Sequence, residues 1–564
     1  MGIMKKHFWL IFLLFACSIS IAQVPAKYWV QFSDKDDTPY SIERPEEFLS
    51  PLAIEKRAYR NIAITEQDLP VNDTYVAQVM ELDTTLVLLT KSKWLNGITI
   101  YSEDSLIAEK ITRLPFVVLC ERTAKLKEKE DFNYPISQYS PAASSPSKMG
   151  SPKSYDYGYA YHQMNLNHAQ WLHYLGASGE GMLMVVLDAG FKNADEIPHF
   201  EALRNEGRLL GVKNFVLPGK SVFTTGSHGT NVLSCIASYI QGEMIGSAPK
   251  ASFYLGKTED ERSENMVEVD NWVAAVEWAD SLGCDVLNSS LGYHDFDDKT
   301  QSYSYNDLNG HTCRASIAAD IAASKGMLVC VSAGNEGNSK WKYITPPADA
   351  ENVLTVGATD IYGNHANFSS WGPTSDGRVK PDANAVGSKT YVADISGQTI
   401  YSYGTSFSSP LLSGMVACLW QLFPEKSNLD VIKALRISGS GFFKPTEYGG
   451  YGIPDFLFAY NILNQQNSPC PVALLTPQSV TNKSSVVVYF WSENTENIFT
   501  IETSLPSSNG NVIRKTYKVS SDFGKIKIKL PKLSKNSPRD IVDVKVIDQI
   551  SHTSSDCIIG LERK

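Results

Sequence analysis

Four side chains of complementary chemistry fall along this chain in one order. They are Asp188 in Val-Val-Leu-Asp-Ala-Gly, His228 in His-Gly-Thr-Asn-Val, Asn335 in Ser-Ala-Gly-Asn-Glu-Gly and Ser406 in Gly-Thr-Ser-Phe-Ser-Ser-Pro. A hydroxyl is a poor nucleophile at neutral pH. Acyl transfer through Ser406 therefore needs a base to take its proton, a carboxylate to orient that base, and donors for the oxyanion that develops on the attacked carbonyl. His228, Asp188 and Asn335 are of the types that fill these roles. Each also has an ordinary reading: Ser406 as a helix cap, His228 as a polar residue at a helix start, Asp188 as a turn cap, Asn335 as a turn residue beside glycine. Four coincidences in this order, each at the end of an element, favour the catalytic reading.

The elements that must position these groups can be read from apolar patterning. Residues 182–187, 251–255, 285–291, 327–332 and 353–356 are short runs apolar on both faces, as expected of strands in a parallel sheet covered by helices. Met266, Val269, Trp272, Val273 and Val276 recur at helical spacing just before one of them. In this βαβ rhythm Asp188 follows one strand, Ser290-Leu291-Gly292 ends a second and Asn335 follows a third. Open parallel sheets hold their ligands beyond these carboxyl ends. Ser406 precedes the apolar pattern Leu411, Leu412, Met415, Val416, Leu419, Trp420, Phe423 and so should begin a buried helix, with Pro410 tolerated in its first turn. A helix start aims unpaired backbone N–H groups at any anion formed there. His228 opens another helical pattern through Ile240, and Gly229 leaves room for close approach.

The order Asp, His, Ser, with a glycine-flanked Asn between the last two, resembles the subtilisin-like serine proteases, the subtilases. The resemblance implies an α/β fold, with a doubly wound parallel-sheet catalytic domain over 157–465 and an N-terminal α+β propeptide-like domain over 23–125; the charged and then Ser/Pro-rich composition of 126–156 reads as a linker between them. The last segment, 466–564, has short alternating runs that suggest a small β-sandwich. It further implies catalytic roles for Asp188, His228 and Ser406 as triad and Asn335 as oxyanion donor. Ser290, Leu291 and Gly292 look like the family's substrate-binding strand, which pairs with extended peptide, and Ala333 and Gly334 would complete the substrate site. The expected activity is that of a serine endopeptidase made as a zymogen, its propeptide acting as an intramolecular inhibitor. The competing readings are a propeptide-capped pseudoprotease or a surface binding protein that keeps the fold.

Three departures from the family pattern bear on specificity more than on activity. Ala189 stands where Ser or Thr is usual after the aspartate, and Phe407 and Ser408 replace the common Met and Ala after the nucleophile. A polar stretch over 293–312, with Asp295, Asp297, Asp298 and Asp307, follows the substrate strand. It could reshape the cleft or hold a structural calcium ion, although an acidic loop is more often simply solvated. The mechanism itself requires no cofactor and no metal.

Composition sets the surroundings. At 564 residues the chain exceeds what one core usually serves, and a formal charge of -10 argues against a nucleic-acid partner, leaving protein or peptide substrates and a monomeric enzyme. Residues 1–22 read as a cleaved secretory signal: a basic start, an apolar run from Phe8 to Cys17 and small residues before a cut at Ala22/Gln23. A lipoprotein signal ending at Cys17 is the alternative, weakened by the bulky Phe15. The expected location is outside the cytoplasm: extracellular, periplasmic or at the cell surface. No later segment is apolar enough to span a membrane. Among the cysteines no zinc-type pairing occurs, and Cys470 and Cys557 could bridge the C-terminal segment.

Overall fold

A computed structural model describes residues 24–130, 132 and 155–465, together with strand segments between 472 and 562. The expected signal, most of the expected linker and Cys470 lie outside the described residues.

Seven strands form the central sheet, in the order Ala383–Val386, Leu354–Thr359, Leu328–Ser332, Val286–Ser289, Leu183–Asp188, Ser252–Lys257, Leu209–Asn214. Every pairing is parallel. Alternation along the strands sends Met184, Val186, Leu328 and Cys330 to one face and Leu183, Val185, Leu187, Val329 and Val331 to the other. The helices His228–Ala237 and Thr405–Gln421 cover the first face; Val267–Leu282 and Arg314–Ser324 cover the second. This is the expected doubly wound α/β arrangement. All five expected strands are present, shifted by a few residues. Leu209–Asn214 and Ala383–Val386 add to them at the two edges.

The segment Lys380-Pro381-Asp382, just before the edge strand Ala383–Val386, carries a buried ion pair. Lys380 and Asp382 are both fully buried and pair at 2.7 Å. Lys380 Nζ also donates to the Val353 carbonyl, and Asp382 accepts from Thr355 N and from Arg436. Buried charges are tolerated only when paired in this way.

Before this domain, Val87–Ser92, Gly97–Ser102, Ala26–Phe32 and Val117–Lys125 form a four-stranded antiparallel sheet in that order. The helical pattern of residues 45–60 in the sequence is divided in the structure. A 3-10 turn, Pro45–Glu47, is followed by the α-helix Pro51–Tyr59, because Pro51 fits only a helix start and Ser50 caps it by accepting from Ala53 N.

This domain packs on Val267–Leu282 and Arg314–Ser324 through polar groups as well as apolar ones. The carboxylate of Glu277 accepts from the backbone N–H of Lys93 and Trp94 and from the Ser92 hydroxyl. Asp280 receives Arg57 through both oxygens, at 2.8 and 2.9 Å, and Lys93 at 2.9 Å. Arg314 pairs with Asp270 and lies 5.3 Å from the Trp29 ring. The C-terminal strands form two sheets, one of three and one of five strands. The last of them, Ser554–Glu562, meets the helix Phe456–Gln465, where Asn461 exchanges hydrogen bonds with both backbone groups of Ile558.

Candidate active site

The strand Leu183–Asp188 delivers Asp188, fully buried, to the carboxyl edge of the sheet. The helix His228–Ala237 crosses hard against that strand end. A Cβ on Gly229 would lie 2.3 Å from the Gly190 carbonyl and 2.9 Å from Asp188 Cβ, so only glycine permits the approach. The crossing brings Nδ1 of His228, the first residue of the helix, to 2.8 and 3.0 Å from the two carboxylate oxygens of Asp188. One of those oxygens also accepts from Ala189 N at 2.8 Å, a bond that needs no side chain at position 189.

His228 keeps 36% of its side chain exposed, enough to be reached from the cleft. Burial of the ring works against its charged form. The charge of Asp188, its hydrogen bond and the charge of Glu261 outweigh this and hold the imidazole pKa above its ordinary value.

Ser406 is the second residue of Thr405–Gln421, a helix buried almost throughout. The helix begins earlier than expected, so Pro410 lies in its second turn. Proline has no N–H to give the carbonyl four residues back, which is that of Ser406. Ser290 Oγ donates to this freed carbonyl at 2.9 Å, while Ser406 Oγ donates in return to the Ser290 carbonyl at 3.4 Å. The segment Ser290-Leu291-Gly292 is thereby fastened to the Ser406 peptide. Phe407 turns its ring toward His228, with centroids 5.9 Å apart.

Asn335, exposed, follows the strand Leu328–Ser332 by way of Ala333 and Gly334. Its Oδ1 accepts from Thr405 N at 2.9 Å and from Thr405 Oγ1 at 3.1 Å, which fixes the amide and leaves Nδ2 as the outward donor. Thr405 Oγ1 in turn accepts from Gly334 N at 3.2 Å. The position a Cβ would take on Gly404 lies 3.7 Å from both Asn335 Nδ2 and Ser406 N. The two N–H donors therefore border one point, an arrangement suited to an oxyanion.

All nine site residues expected from the sequence lie at this carboxyl edge. Thr405, which orients Asn335, was not singled out; its place next to Ser406 in Gly-Thr-Ser was the available signal. The four loop aspartates are engaged locally. Asp295 pairs with Lys299, Asp298 caps a 3-10 turn, Asp307 accepts from Ser304 and Asp297 from Glu264 N. Among the described residues no group of three or more His, Cys, Asp or Glu side chains is placed to hold a metal, and no helix is long and apolar enough to cross a membrane.

The subtilase family profile matches residues 179–459, and the peptidase S8 propeptide domain of Bacteroidota matches residues 27–135. The chain belongs to the subtilase family of serine endopeptidases and carries that family's propeptide domain. It is 30% identical to M-protease of Shouchella clausii over 280 residues, covering 49% of this chain and 64% of that protein. To subtilisin BL of Lederbergia lenta it is 29% identical, covering 49% of this chain and 90% of the relative. The solved prenylagaramide maturation protease PagA aligns over 52% of this chain and 98% of its own, with 23% identity and a TM-score of 0.41.

Proposed function

We propose that this protein is a secreted serine endopeptidase, made as a zymogen, that hydrolyses peptide bonds through an acyl-enzyme on Ser406. The observation that carries the proposal is the convergence at one sheet edge of a buried Asp188 paired with a partly exposed His228, a serine at a helix start and two N–H donors bordering one point. His228 takes the Ser406 proton as Oγ attacks the carbonyl carbon, and then gives it to the leaving amine. Asp188 holds the imidazole tautomer and stabilises the imidazolium. Ser406 N and Asn335 Nδ2 receive the oxyanion. Water then repeats the cycle on the ester, with His228 again as base. Substrate adds as an extended strand along Ser290, Leu291 and Gly292.

Two kinetic outcomes follow from this assignment. Asn335→Ala should lower kcat by about 10² to 10³, with KM little changed, because the amide meets a charge present only in the transition state; steady-state kinetics on a peptide substrate separate the two constants. The pH profile should have a single acid limb. His228 must be neutral to act as base, so activity is full above its pKa and falls as pH drops through it, with a midpoint above about 6.5. Glu261→Gln should move that midpoint down, since Glu261 contributes to the raised value.

The zymogen reading rests on the N-terminal domain and on where it ends. Glu130 pairs with Arg262 and Lys27, and Arg262 is next to Glu261, whose charge reaches His228. Glu130 of the N-terminal segment therefore lies against the neighbour of a residue whose charge is felt at His228. Following the intact mass of the purified chain over time tests this. The expected result is loss of an N-terminal fragment of roughly 13 kDa, the size of a small domain. A chain that stays at full length and inactive would favour the capped pseudoprotease.

A further inference from the structure

Between the propeptide helix Pro51–Tyr59 and the catalytic domain lies a hollow of about 310 Å³. Its catalytic-domain wall includes Met182 and Asp285, each just ahead of a central strand, and Trp420 near the end of the helix Thr405–Gln421. The hollow therefore opens at the amino edge of the sheet, a full strand length from Asp188 and at the far end of the helix that carries Ser406. The facing wall is one stripe of the propeptide helix: Leu52, Glu55, Lys56, Tyr59 and Arg60 recur at the spacing of a single helical face. Such a stripe is normally buried, yet Leu52 is 38% and Tyr59 60% exposed.

The charges around the hollow are unevenly matched. Lys56 and Arg60 share one carboxylate, Asp285, at 2.6 and 2.8 Å. Lys56 Nζ also donates to the Gly283 carbonyl, which leaves one of its three hydrogens over. Arg60 Nη1 donates to the Gly326 carbonyl, but Arg60 Nε is buried with no partner. Its guanidinium lies 4.4 Å from the centre of the Trp420 ring. Glu55, a second carboxylate of the lining, is exposed to solvent, where its charge is screened. The sheltered part of the hollow thus holds two cations for one anion, with unused N–H donors beside apolar and aromatic surface. Buried donors are rarely left unpaired, and an ionised acceptor makes the strongest bond to them.

We propose that this hollow binds a small carboxylate with a flat apolar body, of the arylacetic acid type, and that such a ligand holds the propeptide in place and delays activation. The effect on activation rests on the zymogen reading above; the site does not. The carboxylate accepts from Arg60 and Lys56, and the ring lies against Leu52, Tyr59 and Met182. The volume, at the lower end of ligand pockets, suits a bicyclic ring with one acid group. Both cations belong to the propeptide, so the ligand binds the docked form alone and stabilises it by mass action.

The test titrates the full chain carrying Ser406→Ala, which stays joined to its propeptide, with indole-3-acetate in a calorimeter. One saturable site of roughly millimolar strength or better is expected, the scale for a ligand of this size. Uncharged indole-3-acetamide and cationic tryptamine should bind at least about tenfold more weakly, since neither offers an ionised acceptor. Arg60→Gln should weaken binding of indole-3-acetate by at least about tenfold for the same reason. Leu52→Trp, which fills the hollow from an exposed position, should abolish it. In the wild-type chain, the onset of peptidase activity should slow about tenfold at ten times the half-saturating concentration. Absence of saturable binding, or binding of tryptamine as tight as that of the acid, would overturn the inference and leave the endopeptidase reading standing. Binding without any delay of activity would overturn the claim about activation. Binding to a wild-type chain that never becomes active would uphold the site and overturn the endopeptidase reading instead. Should Arg60→Gln fail to fold, the three probes and Leu52→Trp still decide.

Discussion

Ser406→Ala should lower kcat by about 10⁶-fold on any peptide that the wild type cleaves, the scale on which a triad acts as a unit. The structure explains why the loss should be kinetic and not structural. Ser406 Oγ makes one long hydrogen bond, to the Ser290 carbonyl at 3.4 Å, while the bond fastening the helix start to the segment Ser290-Leu291-Gly292 is donated by Ser290 to the Ser406 backbone. Deleting the hydroxyl leaves that fastening in place and should cost under about 1 kcal/mol of stability. The comparison is made after an added protease has removed the propeptide, since the variant cannot process itself. Peptide turnover and thermal melting on the same samples check it. A variant that retained substantial turnover, or that melted far below wild type, would assign Ser406 a different role.

Arg57→Ala should weaken inhibition by the propeptide about 10²- to 10³-fold. Arg57 and Asp280 are each almost entirely buried, and both carboxylate oxygens of Asp280 accept from one guanidinium nitrogen. Asp68 lies 3.0 Å from Nη1 of the same guanidinium. Removing one partner of a buried pair leaves the other charge dry and costs about 3 to 5 kcal/mol, of which Lys93 recovers a part by its own bond to Asp280. Each 1.4 kcal/mol is tenfold in affinity. The inhibition constant of wild-type and variant propeptide added to mature enzyme measures the difference. Equal constants would mean that the Arg57 contact forms without contributing to binding.

What the sequence made legible, and what it hid, follows from the range of the interactions. Asp188, His228, Asn335 and Ser406 sit in short motifs whose glycines and flanking strands are local, so their places at element ends could be read directly. Central strands such as Leu183–Asp188 are apolar on both faces and equally plain. The edge strands are not. Leu209–Asn214 carries Gly211 and Lys213, and Ala383–Val386 reads Ala-Asn-Ala-Val, neither with the continuous apolar run that marks a buried strand. Gly97–Ser102 was hidden for a similar reason, its pattern too short and polar at the ends.

Contacts between distant segments were hidden altogether. Ser290 binds the Ser406 carbonyl because Pro410 frees it, a relation spanning 116 residues. Thr345 reaches Gly292 and Gly334 only once three loops converge. Propensity likewise failed at 45–60, where Pro51 restarts the helix after Ser50.

The central claim is that Ser406 is a nucleophile activated by His228. The most direct measurement is peptide mapping by mass spectrometry after exposure of the processed chain to a fluorophosphonate. The account predicts one adduct per molecule, on Ser406, whose rate of formation rises with pH through the titration of His228. An adduct on another serine, or none on a processed and folded chain, would contradict it.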